Sequence, residues 1–188
     1  SAVPGRFPIS VHEPIGVVGL IAAANTPIAN LAWKIFPALI CGNACVVKSS
    51  EDAPLTANLL AEICRDAGLP SGLLQIIHGL GHQAGSALVS NSQVGLISFT
   101  GSTQVGYEIA KTCAARMARV SLELGGKNPF VICDDADLEN AVKWAVLSSF
   151  SNAGQRCASS SRIIVMESIY SRFVSSFVEA TKKLRIGP

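Results

Sequence analysis

Residues 16–48, GVVGLIAAANTPIANLAWKIFPALICGNACVVK, decide the fold. Gly16 to Ala24 is a short continuous apolar run, the pattern of a strand buried on both faces, although a buried helix can show the same pattern. Asn25-Thr26-Pro27 breaks it. From Ile28 to Ile40 the residues Leu31, Ile35 and Leu39 recur at helical spacing, and Gly42-Asn43 closes the segment with a C-terminal turn. Ala44 to Lys48 then reads as a second strand. Strand, helix and strand in direct succession are the repeating unit of a parallel sheet.

Working outward, the alternation continues. Pro54 to Ala67 carries Leu55, Leu59, Leu60 and Ile63 at helical spacing and stops at Gly68-Leu69-Pro70. Leu73 to Ile77 reads as a strand, about His82 to Ser90 as a helix, Gly95 to Thr100 as a strand, about Thr103 to Ala115 as a helix and Ala118 to Leu122 as a fifth strand. Strands alternating with helices predict an α/β fold, a doubly wound parallel sheet of the Rossmann-like kind. After Gly125-Gly126 the pattern restarts: Pro129 to Cys133 as a strand, Asp137 to Phe150 as a helix capped by Asp137, Ser161 to Met166 as a strand, and Ile169 to Leu184 as a helix. Two consecutive glycines suit a hinge, so the expected domains are residues 1–125 and 126–188, the second being the beginning of another α/β domain.

Composition narrows the class of function. The chain has 188 residues, 49% of them hydrophobic and 15% charged, which supports a substantial core and does not suit a disordered chain. Its 15 basic and 13 acidic residues are interspersed, so no basic face for a phosphate backbone is expected and nucleic acid is set aside as a partner. The cysteines at 41, 45, 64, 113, 133 and 157 form no CxxC pair. Most sit in apolar surroundings, such as Leu39-Ile40-Cys41 and Val131-Ile132-Cys133, and are expected to be buried and reduced, which suits a cytoplasmic location. Neither they nor the histidines at 12, 78 and 82 have metal-ligand spacing, so no metal is expected. The longest apolar stretch, Ile15 to Ala24, is well short of the roughly 20 residues that span a bilayer, and no membrane partner is expected. Ser1 to Pro8 holds two prolines and no opening element, and the chain stops just after its last helix, so it reads as a fragment.

Five stretches carry chemistry, most with a plain structural alternative. Glu123 in Glu-Leu-Gly-Gly-Lys and Cys157 in Gly-Gln-Arg-Cys supply a carboxylate and a thiol in glycine-bearing surroundings, the parts of a cysteine nucleophile served by a general base. Small polar neighbours would expose Cys157, and Arg156 or nearby N–H groups would favour its thiolate; otherwise it is an inert cysteine. Phe99 to Gly106 reads as strand, glycine turn and helix start, where free N–H groups and the helix dipole attract phosphate. It departs from GxGxxG at Thr103, and Ser102 or Thr103 could simply cap the helix. Lys48 and Glu51 follow the second strand, where ligands of open α/β sheets gather: Lys48 could donate to ribose hydroxyls, and Glu51 could accept from them and repel a 2′-phosphate. The alternative is a solvated strand end. Asn25 is either an amide donor for an oxyanion or the start of its turn.

Taken together, these motifs resemble the aldehyde dehydrogenase superfamily, over about Pro14 to Ile186. The resemblance rests on Glu-Leu-Gly-Gly-Lys at 123–127 and Gly-Gln-x-Cys at 154–157, with Gly-Ser-Thr-x-x-Gly at 101–106 upstream and Asn-x-Pro at 25–27. It implies that Cys157 attacks the aldehyde carbon to give a thiohemiacetal, and that Glu123 activates the water that hydrolyses the thioester left after hydride transfer to NAD. It further implies an oxyanion hole of Asn25 with the Cys157 N–H, and an aromatic tunnel wall at Trp33. Cofactor contacts are implied at Lys48, Glu51, Gly81, Gly101, Ser102, Val105, Gly106 and Leu124. The expected cofactor is NAD rather than NADP, and the expected assembly of the intact protein is a dimer or tetramer.

Ala23-Ala24 stand where many family members have Pro-Trp, and the family's Glu-x-Phe-Gly-Pro segment is not within this sequence. The 188 residues alone are therefore expected to have little or no activity. A CoA-acylating relative and a non-catalytic nucleotide-binding relative are the alternatives; Glu123 argues against the first, and the joint presence of Asn25, Glu123 and Cys157 against the second.

Overall fold

The computed structural model describes residues 7 and 9–187. Two compact units divide at Glu123/Leu124, just before Gly125-Gly126. The strand holding Glu123 runs on to Leu124, two positions past its expected end at Leu122.

The first unit contains β1 (Val17–Ile21), α1 (Pro27–Ile40), β2 (Ala44–Lys48), α2 (Pro54–Asp66), β3 (Leu74–Ile77), α3 (Ser86–Ser90), β4 (Val94–Gly101), α4 (Thr103–Ala114) and β5 (Arg119–Leu124). The sheet order is β3-β2-β1-β4-β5. β1 runs parallel to both β2 and β4, with Leu20 opposite Val47 on one side and Ser98 on the other, and β2 runs parallel to β3. This is the doubly wound, Rossmann-like α/β order expected. Its direction of winding reverses between β1 and β4, so the C-terminal ends of those two strands flank the switch point where ligands of such sheets bind.

Burial explains the uninterrupted apolar run of β1. Val18 and Leu20 pack with Leu31, Ile35, Cys45, Val47 and Leu60 under α1 and α2. Gly19 faces the other way, where Ile97, Leu88 and Val94 come so close that a side chain would collide with them. With both faces covered, no polar alternation is possible. Each such aliphatic side chain contributes about 1.5–3 kcal/mol by leaving water. Pro27 and Pro54 occupy the first turns of α1 and α2, where a missing N–H costs nothing.

Two local expectations are corrected here. The segment near 82–90 opens as a π-helical turn, Gly81–Gly85, and only Ser86–Ser90 is α-helical. Gly81 and Gly85 at its ends lack the side chains that favour regular α winding. Cys41 and Cys133, expected to be buried, are exposed. The former sits in the turn just after α1, where its neighbour Ile40 is exposed as well, and the latter just past the end of a strand whose Val131 is also exposed, so apolar sequence neighbours do not mean a buried site.

The second unit contains β6 (Asn128–Ile132), α5 (Leu138–Phe150), β7 (Ser160–Val165) and α6 (Tyr170–Lys182). β6 and β7 pair in parallel. Asp137 caps α5 as expected, its carboxylate accepting from the N–H groups of Glu139 and Asn140 at 3.1 and 3.2 Å. Ile132, Val142, Ala145, Ile169 and Phe173 form the core, and Phe177 stacks on both Phe150 and Phe173. No helix among the described residues is long and apolar enough to cross a membrane.

Candidate functional site

Beyond the C-terminal ends of β2 and β3, two loops are tied together. Lys48, buried at 2% exposure, donates to Glu51 Oε2 at 2.5 Å, while the Glu51 side chain stays 44% exposed. That bond holds the Glu51 carboxyl below the ordinary carboxylate range. Glu51 Oε1 in turn accepts from the Gly81 N–H at 3.3 Å. Lys48, Glu51 and Gly81 thus form one cluster. A second tie runs beside it: Ser49 Oγ meets His78 Nδ1 at 2.7 Å, and His78 Nε2 meets Asn58 Oδ1 at 2.8 Å. The carboxamide oxygen only accepts, so the Nε2 position carries the proton. His78, which lacks metal-ligand spacing in the sequence, ties the β3 loop to α2.

Next to that cluster is a cleft of about 430 Å³ whose walls include Ile21, Gly81, Val89, Phe99, Val105 and Ile109. Val105 is 47% exposed at the start of α4. Ser102 caps this helix, its Oγ accepting from the Val105 N–H at 3.4 Å, whereas Gly106 is buried one residue further on. Gly101, expected in the turn, is instead the last residue of β4. Its requirement for glycine comes from the Phe99 ring, which fills the space a side chain would take. An apolar slot, a helix N-terminus and a Lys–Glu pair are the three surfaces that adenine, a pyrophosphate and a ribose diol require, so these residues fit a dinucleotide.

Asn25 is half-buried and sits two residues before α1. Two polar side chains on that helix, which the sequence reading overlooked, are more deeply buried than Asn25 itself: Asn30 at 1% exposure and Lys34 at 6%. Asn30 Nδ2 donates to Asn25 Oδ1 at 3.1 Å. Lys34 Nζ donates to Ser98 Oγ on β4 at 2.8 Å, and burial lowers its pKa to about 8 against the opposing pull of the Glu123 charge. The signal was available, since 30 and 34 share one face of the helix and interrupt an otherwise apolar pattern with Leu31 and Ile35. Trp33 points away from the core at 56% exposure. Glu123 is exposed in β5, and Leu124, half-buried, ends that strand.

In the second unit, Cys157 lies exposed in the turn between α5 and β7. Asn152, Ala153 and Gly154 ahead of it have φ of 54°, 55° and 73°, three consecutive left-handed residues. They turn the chain sharply out of α5, and Gly154, whose absent side chain would press on the Ser149 carbonyl, is the residue suited to that conformation. Asn128, also overlooked in the sequence, holds the turn from the start of β6: its Nδ2 donates to the Cys157 carbonyl and, at 3.2 Å, to the Ser159 carbonyl. The other thiols differ. Cys45, Cys64 and Cys113 are buried, and burial pushes Cys45 up to about 11 and raises Cys113, which leaves Cys41, Cys133 and Cys157 as the exposed thiols.

Known proteins match nearly the whole chain. The chain is 48% identical over 178 residues to human retinaldehyde dehydrogenase 3, covering 94% of this chain and 35% of that protein. Among solved structures, betaine aldehyde dehydrogenase from Staphylococcus aureus in complex with NAD+ superposes with a TM-score of 0.91 at 40% identity, over 93% of this chain and 35% of that one. An NADP-dependent enzyme of E. coli superposes with a TM-score of 0.90 at 42% identity, over 93% and 36%. The chain therefore spans about a third of the length of the relatives it matches. The family model described as "Aldehyde dehydrogenase family" matches residues 1–188, and the chain belongs to that family.

Proposed function

We propose that the protein to which this chain belongs oxidises an aldehyde to a carboxylic acid with NAD, using Cys157 as the nucleophile. The observation that carries this reading is the Cys157 turn: an exposed thiol on a sharply bent segment whose carbonyls are anchored by Asn128, within a member of the aldehyde dehydrogenase family. The N–H groups of Gln155, Arg156 and Ser159 donate to carbonyls within the turn and hold its bend, and the N–H of Cys157 itself is the one assigned to the thiolate and the oxyanion that follows.

The thiolate adds to the aldehyde carbon, and the carbonyl electrons move to oxygen. Asn25 and the Cys157 N–H donate to that oxyanion. The carbonyl re-forms as a thioester on Cys157 as hydride departs, and a bound NAD would supply the acceptor for that hydride. Glu123 then takes a proton from the water that attacks the thioester, releasing the acid and the thiolate. Ser102, Val105 and Gly106 at the start of α4 would hold the pyrophosphate side, with Gly101 and Leu124 as further contacts; Lys48 and Glu51 would hold the adenosine ribose, with Gly81 beside the adenine. A Glu51 kept ionised by Lys48 favours NAD, because a 2′-phosphate would meet its charge. Trp33, an exposed aromatic on α1, would line the aldehyde tunnel. On this reading residues 1–125 are the cofactor domain and 126–188 begin the catalytic one. The enzyme is cytoplasmic, in keeping with six unpaired cysteines, and acts as a dimer or tetramer.

The test uses the whole protein, an aldehyde series and NADH absorbance. Cys157→Ala should abolish turnover, and an aldehyde-derived thiol label should mark Cys157 ahead of Cys41 and Cys133. Glu123→Gln should give a burst of about one NADH per site and then stall, since acylation survives and hydrolysis does not. Full steady-state turnover by either variant would sink the proposal.

A further inference from the structure

The Asn30 amide is buried at 1% exposure on α1, yet its oxygen has no hydrogen-bond partner and its nitrogen is crowded with them. Nδ2 donates to the Thr26 carbonyl at 3.2 Å, to Thr26 Oγ1 at 3.0 Å and to Asn25 Oδ1 at 3.1 Å. A core residue chosen for packing would be apolar here, because an orphaned buried acceptor is destabilising by about 1–3 kcal/mol. The unpaired oxygen is therefore a burden carried for the sake of the nitrogen.

The donor set fixes two orientations in turn. A backbone carbonyl can only accept, so the end of Asn30 that faces the Thr26 carbonyl must be the NH2 end. The atom of Asn25 meeting that NH2 group must then be an acceptor, which is Oδ1. With its oxygen engaged by Asn30, the Asn25 carboxamide presents its only donor, Nδ2, on its other side. We infer that Asn30 is a positioning residue for the reaction: its buried amide sets which end of the Asn25 side chain faces the substrate carbonyl. This inference rests on the proposed role of Asn25 as oxyanion donor. Without Asn30, the Asn25 oxygen loses the donor that holds it, and any fraction of the amide turned through half a turn would present oxygen to the developing oxyanion, repelling it.

The test is a double-mutant cycle in the whole protein, reading the single-turnover rate of NADH formation and the melting temperature. Asn25→Ala should lower the rate about 10²–10³-fold, the usual loss for one oxyanion donor. Asn30→Asp keeps the shape but offers only acceptors, so it should recruit the Asn25 NH2 group to itself and lower the rate at least about tenfold, with little change in aldehyde KM. Asn30→Leu, which removes the orphaned oxygen, should melt no lower than wild type and still lose rate in the same direction; it carries the test if the aspartate folds poorly. On the Asn25→Ala background, either Asn30 substitution should cost less than about twofold. An equal loss on both backgrounds would overturn the inference, as would unchanged rates for both Asn30 variants beside a crippled Asn25→Ala. A fully active Asn25→Ala would instead overturn the role of Asn25, and the inference with it.

Discussion

At the start of α1, Asn30 and Lys34 are buried to 1% and 6% exposure and bonded to side chains or backbone within the sheet-and-helix layer. Around Cys157 the reverse holds: the thiol is exposed, the backbone ahead of it is left-handed for three residues, and one asparagine side chain pins the carbonyls. Burial and exposure suit different tasks. A donor that must stabilise charge gains strength from a low dielectric and a fixed direction, whereas a nucleophile must be reached by its substrate. The first region holds its polar groups at the expense of stability and the second holds its thiol at the expense of backbone comfort, so substitution should act on the two regions with opposite signatures.

The largest effect is expected at Lys34. Its pKa falls from 10.5 unfolded to about 8 folded, so at neutral pH the folded state carries a buried charge that the unfolded chain solvates freely. Lys34→Met should raise unfolding free energy at pH 7 by on the order of 2–3 kcal/mol, less whatever the Ser98 bond contributed. The sign of the pH dependence follows. Between about pH 8 and pH 10.5 the unfolded chain binds a proton that the folded one has released, so wild-type stability gains with pH across that window and the advantage of the methionine shrinks. Urea unfolding at pH 7 and pH 10 checks both; a destabilised methionine variant at pH 7 would mean that the Ser98 bond and the Glu123 charge outweigh desolvation.

Much of this contrast was legible beforehand on one side only. The doubly wound parallel sheet followed from the alternation starting at Gly16, because a central parallel strand must be apolar on both faces and β1 is. Cys157 in an exposing turn followed from Gly154 and its small neighbours. Asn30 and Lys34 showed themselves only as polar breaks in the apolar face of α1, and Asn128 not at all; the distant partners, Ser98 for Lys34 and the Cys157 and Ser159 carbonyls for Asn128, escaped because no spacing rule reports such a bond. The π-helical turn at Gly81–Gly85 escaped likewise, since helical periodicity over so few residues does not distinguish π from α winding.

A middle-sized effect is expected at Asn128. Asn128→Ala removes the donor from the Cys157 and Ser159 carbonyls while leaving the thiol exposed. The loss should be about 1 kcal/mol of stability, since freed carbonyls near the surface turn to water, and about tenfold in the rate of Cys157 labelling by an aldehyde analogue. Labelling of Cys41 and Cys133 serves as the internal reference. An unchanged ratio of Cys157 to Cys133 labelling would show that exposure alone, not the pinned turn, governs reactivity.

The smallest effect tests whether the Cys157 turn stores strain at all. Ala153 holds φ at 55°, where its Cβ crowds the following carbonyl at about 1–2 kcal/mol, whereas Asn152 beside it tolerates that region better. Ala153→Gly relieves the clash but loosens the unfolded chain by about 0.4–1 kcal/mol, so a net stabilisation of about 0.5 kcal/mol is expected. Ala153→Val, branched at Cβ, should be destabilising by more than 1 kcal/mol. The pair gives the sign, which matters more than the size: glycine above and valine below wild type means that the native backbone stays left-handed and bears the cost, as a turn held by Asn128 would. If valine were tolerated, the turn would have relaxed out of that region, and Cys157 would owe its exposure to mobility and not to a fixed bend.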